Sequence, residues 1–150
     1  MNYAVRAAQA EDKAGWLVLW LAYCEFYEHI PSNEVTETTW GRIVSSDSTL
    51  QGLVAVAEHG AIVGFANYVS HPNTWSTAGV CYLEDLFVQP EARKGGIARA
   101  LIDRLLEIAR DKGWNRVYWM TDETNAVARR LYDTYTKADG FVRYVVPVNQ

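Results

Sequence analysis

Cysteine and histidine are scarce in this 150-residue chain. The two cysteines, Cys24 and Cys81, lie far apart in the sequence, which excludes a disulfide framework and a cysteine-based zinc site. The three histidines are scattered and show no metal-ligand spacing: His29, His59 and His71. The sequence therefore predicts a protein that binds no metal.

Long apolar runs are also absent. The longest run, Trp16–Cys24, is far short of the roughly 20 residues that a membrane-spanning helix needs. The N-terminal residues lack a basic stretch followed directly by a long apolar core, so we expect no secretory signal. We therefore predict a cytoplasmic protein that does not insert into membranes.

Positive charge is not in excess. Lysine and arginine together number 14 against 18 acidic residues, which gives a net charge of −4. An acidic chain is not attracted as a whole to nucleic acid or to an anionic membrane, so we expect neither as a partner. The charge is compatible with a cationic substrate, and it is equally ordinary for any soluble domain.

The rest of the composition is typical of a globular domain. Hydrophobic residues make up 49% and charged residues 21% of the chain, which argues against a disordered or fibrous protein. A chain of this length can bury a sizeable core without disulfides or metals. We expect one domain spanning residues 1–150.

The spacing of apolar residues predicts the secondary structure. Trp16, Trp20, Tyr23 and Tyr27 step by four, three and four residues, the period of an amphipathic helix, and predict a helix over Asp12–Glu28. The other predicted helices are Trp40–Val44, one that follows Ala98 and stops at Gly113, and Asn125–Tyr135. The predicted strands are Tyr3–Arg6, Leu53–Glu58, Ala61–Val69, Val80–Val88, Trp114–Met120 and Phe141–Val148. This order predicts an α/β protein of the α+β type, with helices packed on a mixed sheet.

The segment after the fourth predicted strand carries the strongest chemical signal. It joins a strand to a helix and combines two basic side chains, Arg93 and Lys94, with two glycines, Gly95 and Gly96. A helix N-terminus offers free N–H groups, and glycine lets the backbone approach a phosphate closely. The segment therefore predicts an anion site, with a plain surface turn as the alternative. The nucleotide P-loop and the dinucleotide G-x-G-x-x-G patterns are both absent.

This segment also carries a family resemblance. Arg93-x-x-Gly96-x-Ala98, after a strand ending in Leu86-Phe87-Val88, resembles the acetyl-CoA loop [QR]-x-x-G-x-[GA] of the GNAT acetyltransferases. Three further segments are similar in the same order: Tyr82–Val88 to the central strand, Asn125–Tyr132 to the late helix, and Gly140-Phe141 to the turn before the last strand. The resemblance covers the whole chain. It implies a GNAT-like acyl-CoA N-acyltransferase fold, with a central, mostly antiparallel sheet flanked by helices.

A closer similarity is to the fungal histone and polyamine acetyltransferases and to the diamine acetyltransferases. It rests on the aromatic first helix together with Thr74-Trp75, Tyr118-Trp119 and Thr121–Asn125. The resemblance implies acetyl-CoA as co-substrate and a homodimer. The stretch Thr134–Asp139 is longer than usual in the family, which leaves the register of the last predicted strand open.

The resemblance assigns the acetyl-CoA site residue by residue. The implied partners of the pantetheine arm are backbone groups of Leu86, Phe87 and Val88. The implied pyrophosphate site comprises Arg93, Lys94, Gly95, Gly96, Ile97 and Ala98, with Arg99 nearby. Asn125 and Arg129 or Arg130 would lie along the cofactor. The alternatives are a helix N-cap for Asn125 and a solvated helix face for the arginines.

Acetyl transfer from a thioester to an amine needs a base, because a lysine-like amine has a pKa of about 10.4 and is almost entirely ammonium at neutral pH. Glu84 is the best candidate for this base, or for binding the ammonium, because it lies in an otherwise apolar strand where the pKa of a carboxylate rises. Strand side chains alternate, so Asp85 should point to the opposite face. We expect one of the two to face the substrate and count Asp85 among the substrate-binding residues. A structural or solvated carboxylate is the alternative.

The resemblance implies two further catalytic groups. The backbone N–H of Leu86 would stabilise the oxyanion, and Tyr132, placed like the family tyrosine, would protonate the departing thiolate. A core tyrosine is the alternative for Tyr132. Cys81 is a conceivable nucleophile, but no histidine motif accompanies it and buried structural cysteines are commoner. We therefore expect direct transfer in a ternary complex.

The first predicted helix ends in aromatic and acidic residues. Tyr27 and Glu28 suit an alkylammonium through cation–π and charge attraction, and Trp75 could close the site. An ordinary solvated helix face explains the same pattern. We predict an N-acetyltransferase acting on the primary amine of a small cationic substrate, such as a polyamine or an amino acid. The alternatives are a protein-lysine or N-terminal acetyltransferase and a non-catalytic acyl-CoA sensor.

Overall fold

The computed structural model describes residues 2–149, which form two compact units. Residues up to Trp119 belong to the first unit and residues from Met120 to the second. The first unit contains β1 (Tyr3–Ala7), α1 (Lys13–Phe26), α2 (Asn33–Val44), β2 (Leu50–Ala57), β3 (Ile62–His71), β4 (Val80–Val88), α3 (Ile97–Lys112) and β5 (Val117–Tyr118). The second contains α4 (Ala126–Tyr132). The expectation of a single domain stays a prediction.

The five strands form one sheet in the order β1-β2-β3-β4-β5. The first four strands pair antiparallel with their neighbours, whereas β5 runs parallel to β4. This last pairing is short, because it joins only Cys81 to Val117 and Tyr82 to Tyr118. The sheet is therefore mixed and mostly antiparallel, as predicted, and its β4–β5 pairing stops early in β4.

The two faces of the sheet carry different helices. The ring of Phe65 on β3 lies 6.0 Å from that of Trp16 and 6.2 Å from that of Trp20, both on α1. The preceding residue, Gly64, faces the other way, since a Cβ atom there would lie 3.1 Å from Cγ2 of Ile97 on α3. Successive strand side chains alternate, so α1 covers one face and α3 covers the other.

An aromatic core holds α1 and α2 on their face of the sheet. The ring of Trp16 stacks on Trp20 at 5.2 Å and lies 4.9 Å from Trp40 of α2. Inside this core, Nε1 of Trp20 donates a hydrogen bond of 3.1 Å to the buried hydroxyl of Thr36. The helix α2 begins earlier than the predicted Trp40–Val44, because the Ser32 hydroxyl accepts from the N–H of Val35 and caps it.

The helix α3 and the strand after it follow the sequence pattern in part. The predicted stripe on α3 is buried at Ile97, Leu101 and Leu105, and the helix ends at Gly113, whose φ of +74° is left-handed. The predicted strand Trp114–Met120 is reduced to β5, because only two residues find a partner on β4. No helix among residues 2–149 is long and apolar enough to cross a bilayer.

The second unit departs most from prediction. The helix predicted over Asn125–Tyr135 ends at Tyr132, and residues 133–149 contain neither helix nor strand. The predicted strand Phe141–Val148 is therefore wrong. Its apolar side chains are exposed, Phe141 and Tyr144 by 90% each, since no strand of the described residues pairs with this segment. Apolar alternation alone does not make a strand without a partner edge.

Candidate active site

A β-bulge displaces Glu84 from the regular pairing of β3 with β4. Asn67 pairs with Asp85 and the next residue, Tyr68, pairs with Leu83, so Glu84 is the extra residue without a partner. A bulge of this kind breaks the strict alternation of side chains and bends the strand. It changes the direction of the side chains on either side of it.

Both carboxylates of this strand line the same cavity as a result. The prediction that Glu84 and Asp85 point to opposite faces is wrong, because the bulge at Glu84 removes the alternation on which it rested. The cavity has a volume of about 940 Å³ and also contains Asp47 from the segment between α2 and β2. We call it the carboxylate cavity, after Asp47, Glu84 and Asp85.

The other walls of the carboxylate cavity come from α1, α2 and the segment that follows α2. Trp20 supplies an aromatic ring, Arg42 supplies a guanidinium, and the hydroxyl-bearing residues are Thr38, Thr39, Ser45, Ser48 and Thr49. The exposed side chain of Arg42 makes no hydrogen bond or ion pair to any other residue within 2–149. The cavity thus combines three carboxylates with one free guanidinium.

Asp85 is the less exposed member of the pair. Its Oδ2 accepts a hydrogen bond of 3.1 Å from Nδ2 of Asn67, and its carboxylate also accepts one from the hydroxyl of Tyr23. Burial raises the pKa of Asp85, and the negative charge of Glu84 adds to the rise, whereas the two hydrogen bonds oppose it. Burial next to Asp85 likewise raises the pKa of Tyr23 well above its usual value, which keeps that phenol protonated as a donor.

Glu84 is the exposed member of the pair and makes no hydrogen bond to the described residues. Its charge contributes to the raised pKa of Tyr118, after the larger effect of burial. Tyr118 is fixed in place by a hydrogen bond of 2.7 Å to Nε2 of His71 and by stacking on Tyr82 at 4.9 Å. An ordered aromatic group therefore lies within electrostatic range of the Glu84 carboxylate.

Beyond Tyr82, no strand among residues 2–149 pairs with the edge of β4 that faces away from β3, and we call this the open edge. The N–H of Gln89 donates to the carbonyl of Val63 on β3, and backbone groups alternate along a strand. The N–H groups of Leu86 and Val88 therefore point to the open edge, whereas those of Phe87 point to β3. The N–H groups of Leu86 and Val88 can therefore bind an added strand or an oxyanion. The N–H of Phe87 cannot, because it points to β3.

The loop between β4 and α3 has the shape expected of an anion site. Lys94 and Gly96 have positive φ angles of 68° and 79°, which curl the backbone ahead of the helix. The first N–H to bond back within the helix is that of Ala100, which donates to Gly96. The N–H groups of Ile97, Ala98 and Arg99 are the first-turn donors that α3 itself cannot satisfy.

The side chains of this loop take different roles. Nε of Arg93 donates a hydrogen bond of 2.9 Å to the carbonyl of Val88, and the guanidinium lies over the Phe87 ring at 5.4 Å. Arg93 thus braces the end of β4. Lys94, Gly95 and Arg99 are exposed, whereas the Ile97 side chain is buried and can offer only its backbone.

The second unit holds the remaining predicted cofactor and acid residues. The side chain of Asn125 caps α4, since its Oδ1 accepts from the N–H of Ala128 at 3.1 Å. The guanidinium of Arg129 donates to the carbonyl of Glu123 at 2.9 Å. Tyr132 is the last residue of α4 and is half-buried. The helix-cap interpretation of Asn125 is therefore confirmed, and its predicted contact with a cofactor stays a prediction.

Three predicted substrate residues are not part of the carboxylate cavity. Trp75 is 91% exposed, Tyr27 is 55% exposed, and Glu28 follows the end of α1 with a φ of 56°. None of them lines the cavity. The aromatic residue of α1 that does line the cavity is Trp20, about two helical turns before Tyr27.

Both cysteines are free and buried. Burial raises the pKa of the Cys81 thiol to about 12 and also raises that of Cys24. A thiol held in its protonated form is a poor nucleophile, which agrees with the expectation of direct transfer.

Sequence reasoning missed Asn67 and His71 as neighbours of the site. It places Tyr23 in the helical stripe of α1 and among the aromatic residues that suit an alkylammonium, but it gives no contact of Tyr23 with Asp85. Asn67 offered one signal, because an amide in the apolar run of β3 must find a polar partner when buried. His71 offered none, since it contacts Tyr118 across 47 positions of sequence.

Comparison with known proteins agrees with this arrangement. The model of the acetyltransferase (GNAT) family matches residues 15–135. The chain belongs to this family, and it is an N-acetyltransferase of the GNAT type.

Two relatives are similar in sequence, and one solved structure is similar in fold. The D-amino-acid N-acetyltransferase HPA3 of Saccharomyces cerevisiae is 36% identical over 129 residues, covering 85% of this chain and 80% of the relative. The thialysine N-epsilon-acetyltransferase of Caenorhabditis elegans is 30% identical over 139 residues, covering 89% and 85%. The fold matches that of AAC(6')-Iy in complex with a CoA bisubstrate analogue at a TM-score of 0.84, with 19% identity over 99% of this chain and 100% of the other. The match to HPA3 confirms the predicted similarity to the fungal branch.

Proposed function

We propose that this enzyme transfers an acetyl group from acetyl-CoA to the primary amine of a small cationic substrate, such as a polyamine or an amino acid. The observation that carries the proposal is the carboxylate cavity, in which Asp47, Glu84 and Asp85 surround a space of about 940 Å³. The negative charge of these carboxylates attracts an alkylammonium.

The acetyl donor would bind along the open edge of β4. Backbone groups of Leu86 and Val88 face that edge, and the first turn of α3 directs N–H groups that the helix itself cannot satisfy toward a pyrophosphate. AAC(6')-Iy, which shares the fold, is described with a CoA-based analogue bound. In this proposal Leu86 also stabilises the oxyanion, and Asn125 and Arg129 lie along the cofactor.

Transfer would be direct, within a ternary complex. A carboxylate of the Glu84–Asp85 pair receives a proton from the ammonium, the amine attacks the thioester carbonyl, and Tyr132 protonates the departing thiolate. The high pKa of the buried Cys81 thiol supports a route without an acetyl-cysteine intermediate.

An amino acid is the acceptor that the relatives favour. HPA3 is named for D-amino acids, and the nematode relative for thialysine, which like any amino acid carries an amine and a carboxylate. The free guanidinium of Arg42 could pair with such a carboxylate while the cavity acids hold the amine.

The test is thiol release from acetyl-CoA by the purified protein with a panel of amines. The panel contains spermidine, putrescine, lysine, D- and L-amino acids, aminoglycosides and a histone-tail peptide. We expect turnover with one small-amine class and loss of that turnover in Arg42→Ala if the acceptor is an amino acid. Turnover only with the peptide would indicate a protein acetyltransferase.

A non-catalytic acyl-CoA sensor is the alternative from another class. It would bind acetyl-CoA in calorimetry, release no thiol with any amine, and be unaffected by Tyr132→Phe. That combination of results would overturn the proposed activity.

A homodimer and a cytoplasmic location belong to the same proposal. The exposed apolar side chains of residues 141–148 support a second copy as a partner, because patches of this kind mark interfaces. Sedimentation equilibrium of the full chain tests the assembly, with a monomer at all concentrations as the contrary result.

A further inference from the structure

Glu84 and Asp85 share the carboxylate cavity, yet their surroundings differ. Glu84 is exposed and makes no hydrogen bond to the described residues, so it is free to rotate toward an approaching cation. Asp85 is fixed by Asn67 and Tyr23, which contact it from β3 and α1. A proton-transfer group works best when its position is fixed, and of the two carboxylates only that of Asp85 is fixed by hydrogen bonds to the described residues.

The Asn67 amide is oriented by Asp85. Its Nδ2 donates to the carboxylate, while its Oδ1, although the residue is only 1% exposed, has no hydrogen-bond partner among residues 2–149. A buried acceptor without a partner costs free energy. The amide of Asn67 therefore uses its donor to position Asp85, while its own acceptor stays unsatisfied.

The proton affinity of Asp85 is a second argument for its role as a base. Burial, with the charge of Glu84 beside it, raises the pKa of Asp85. A base is more effective when its proton affinity approaches that of the group it deprotonates, and an alkylammonium is a very weak acid.

We propose that Asp85, held by Asn67 and Tyr23, is the base that takes the proton from the acceptor ammonium, and that Glu84 draws the ammonium to the mouth of the cavity. This inference rests on the proposed acetyl transfer. One N–H proton passes to a carboxylate oxygen of Asp85 and is later released to solvent. The nitrogen then forms a bond to the acetyl carbon as the C–S bond breaks, and its second proton replaces the one that Tyr132 gives to the thiolate.

The first experiment compares two amines of different basicity. The first is the amine with the highest turnover in the panel, which is an ammonium at neutral pH and needs a base, whereas the second, O-methylhydroxylamine, is already neutral and does not. In Asp85→Asn we expect kcat with the panel amine to fall by about 100-fold or more, the usual effect of losing a general base, and kcat with O-methylhydroxylamine to fall far less. Glu84→Gln should instead raise KM for the panel amine and leave kcat nearly unchanged.

Asp47→Asn is the matched control, since it removes a carboxylate from the same cavity without touching Asn67 or Tyr23. We expect it to raise KM alone, as Glu84→Gln does. The proposal is overturned if Glu84→Gln shows the dependence on amine basicity, or if Asp85→Asn loses the same factor with both amines, which would indicate a structural role.

The second experiment needs no turnover. Carbon-13 NMR of protein labelled at aspartate carboxyls follows each titration, and Asp85→Asn identifies the Asp85 signal. We expect that signal to titrate above the ordinary aspartate value of about 3.9. Titration at or below that value would contradict the assignment of Asp85 as the base. Absence of thiol release with every amine would instead contradict the proposed acetyl transfer.

Discussion

The hydroxyl of Tyr118 lies 2.7 Å from Nε2 of His71, and Nδ1 of the same imidazole lies 2.8 Å from the carbonyl oxygen of Pro72. A carbonyl can only accept, so Nδ1 carries the ring proton and Nε2 accepts from the phenol. The hydrogen bond joins the last residue of β3 to β5, with β4 lying between them. It supports β5 where the sheet itself supplies only two residue pairs.

Tyr118→Phe should therefore lower the free energy of unfolding by about 0.5–1.5 kcal/mol, because it removes the hydrogen bond and keeps the ring stacked on Tyr82. Urea unfolding followed by tryptophan fluorescence measures the change. Tyr144→Phe, on a residue 90% exposed, is the matched control and should change stability by less than about 0.5 kcal/mol. Equal effects of the two variants would contradict the assigned hydrogen bond.

The ion pair of Arg6 with Asp12 makes stability depend on pH. Nη1 and Nη2 of Arg6 donate to the Asp12 carboxylate, at 2.7 and 2.9 Å, and the N–H of Gln9 adds a third hydrogen bond of 2.8 Å. The bond from Arg6 is the largest cause that lowers the pKa of Asp12. The carboxylate therefore stabilises the fold above its unfolded pKa, and this contribution is lost as the pH falls through the lower folded value.

Asp12→Asn should cost about 1.5–3 kcal/mol at neutral pH, the usual contribution of hydrogen bonds to a charged group. The difference from the natural protein should shrink as the solution is acidified, and chemical unfolding at a series of pH values would show it. Asp111→Asn, on an exposed residue of α3, serves as control. A difference that stays constant into acid would rule out the ion pair as its source.

Gly96 and Gly113 offer a matched pair at the two ends of α3. Both have left-handed φ angles, +79° and +74°, and alanine at either should cost about 1–2 kcal/mol of stability. Only Gly96 lies in the proposed pyrophosphate loop, so Gly96→Ala should also weaken CoA binding several-fold in calorimetry. Equal CoA affinity in the two variants would place the cofactor elsewhere.

The thiol of Cys81 should not react with alkylating agents in the folded protein. Burial raises the pKa of its thiol to about 12, so iodoacetamide at pH 8 should leave it unmodified in the folded protein and label it in urea. Cys81→Ala should retain kcat once its folding has been checked by a thermal melt. Detection of an acetylated Cys81 by mass spectrometry after incubation with acetyl-CoA alone would contradict direct transfer.

The sequence predicts those parts of the molecule that local chemistry controls. The aromatic period of α1, the left-handed stop at Gly113 and the glycine loop before α3 are each determined by residues close in the chain. The shared direction of Glu84 and Asp85 is not predictable in this way, because it depends on a bulge that appears only when β4 pairs with β3. The contact of Asn67 with Asp85 depends on the same register.

The strand predicted over Phe141–Val148 does not form, for a different reason. Its residues have the local pattern of a strand, but a strand also needs an edge to bind, and the described residues pair none with it. Trp75 does not line the carboxylate cavity, and its role as a substrate residue stays a prediction. The position of a loop aromatic depends on contacts that its neighbours in sequence do not reveal.

The early end of the β4–β5 pairing has a consequence for handling the protein. At Leu86 and Val88 no described strand pairs with the backbone N–H groups of β4, and unpaired strand edges are templates for adventitious pairing between molecules. A bound pantetheine arm would occupy that edge much as a missing strand would. Ligand-free preparations should therefore be the more prone to aggregate, and CoA in the storage buffer should act as a solubilising agent and not only as a substrate.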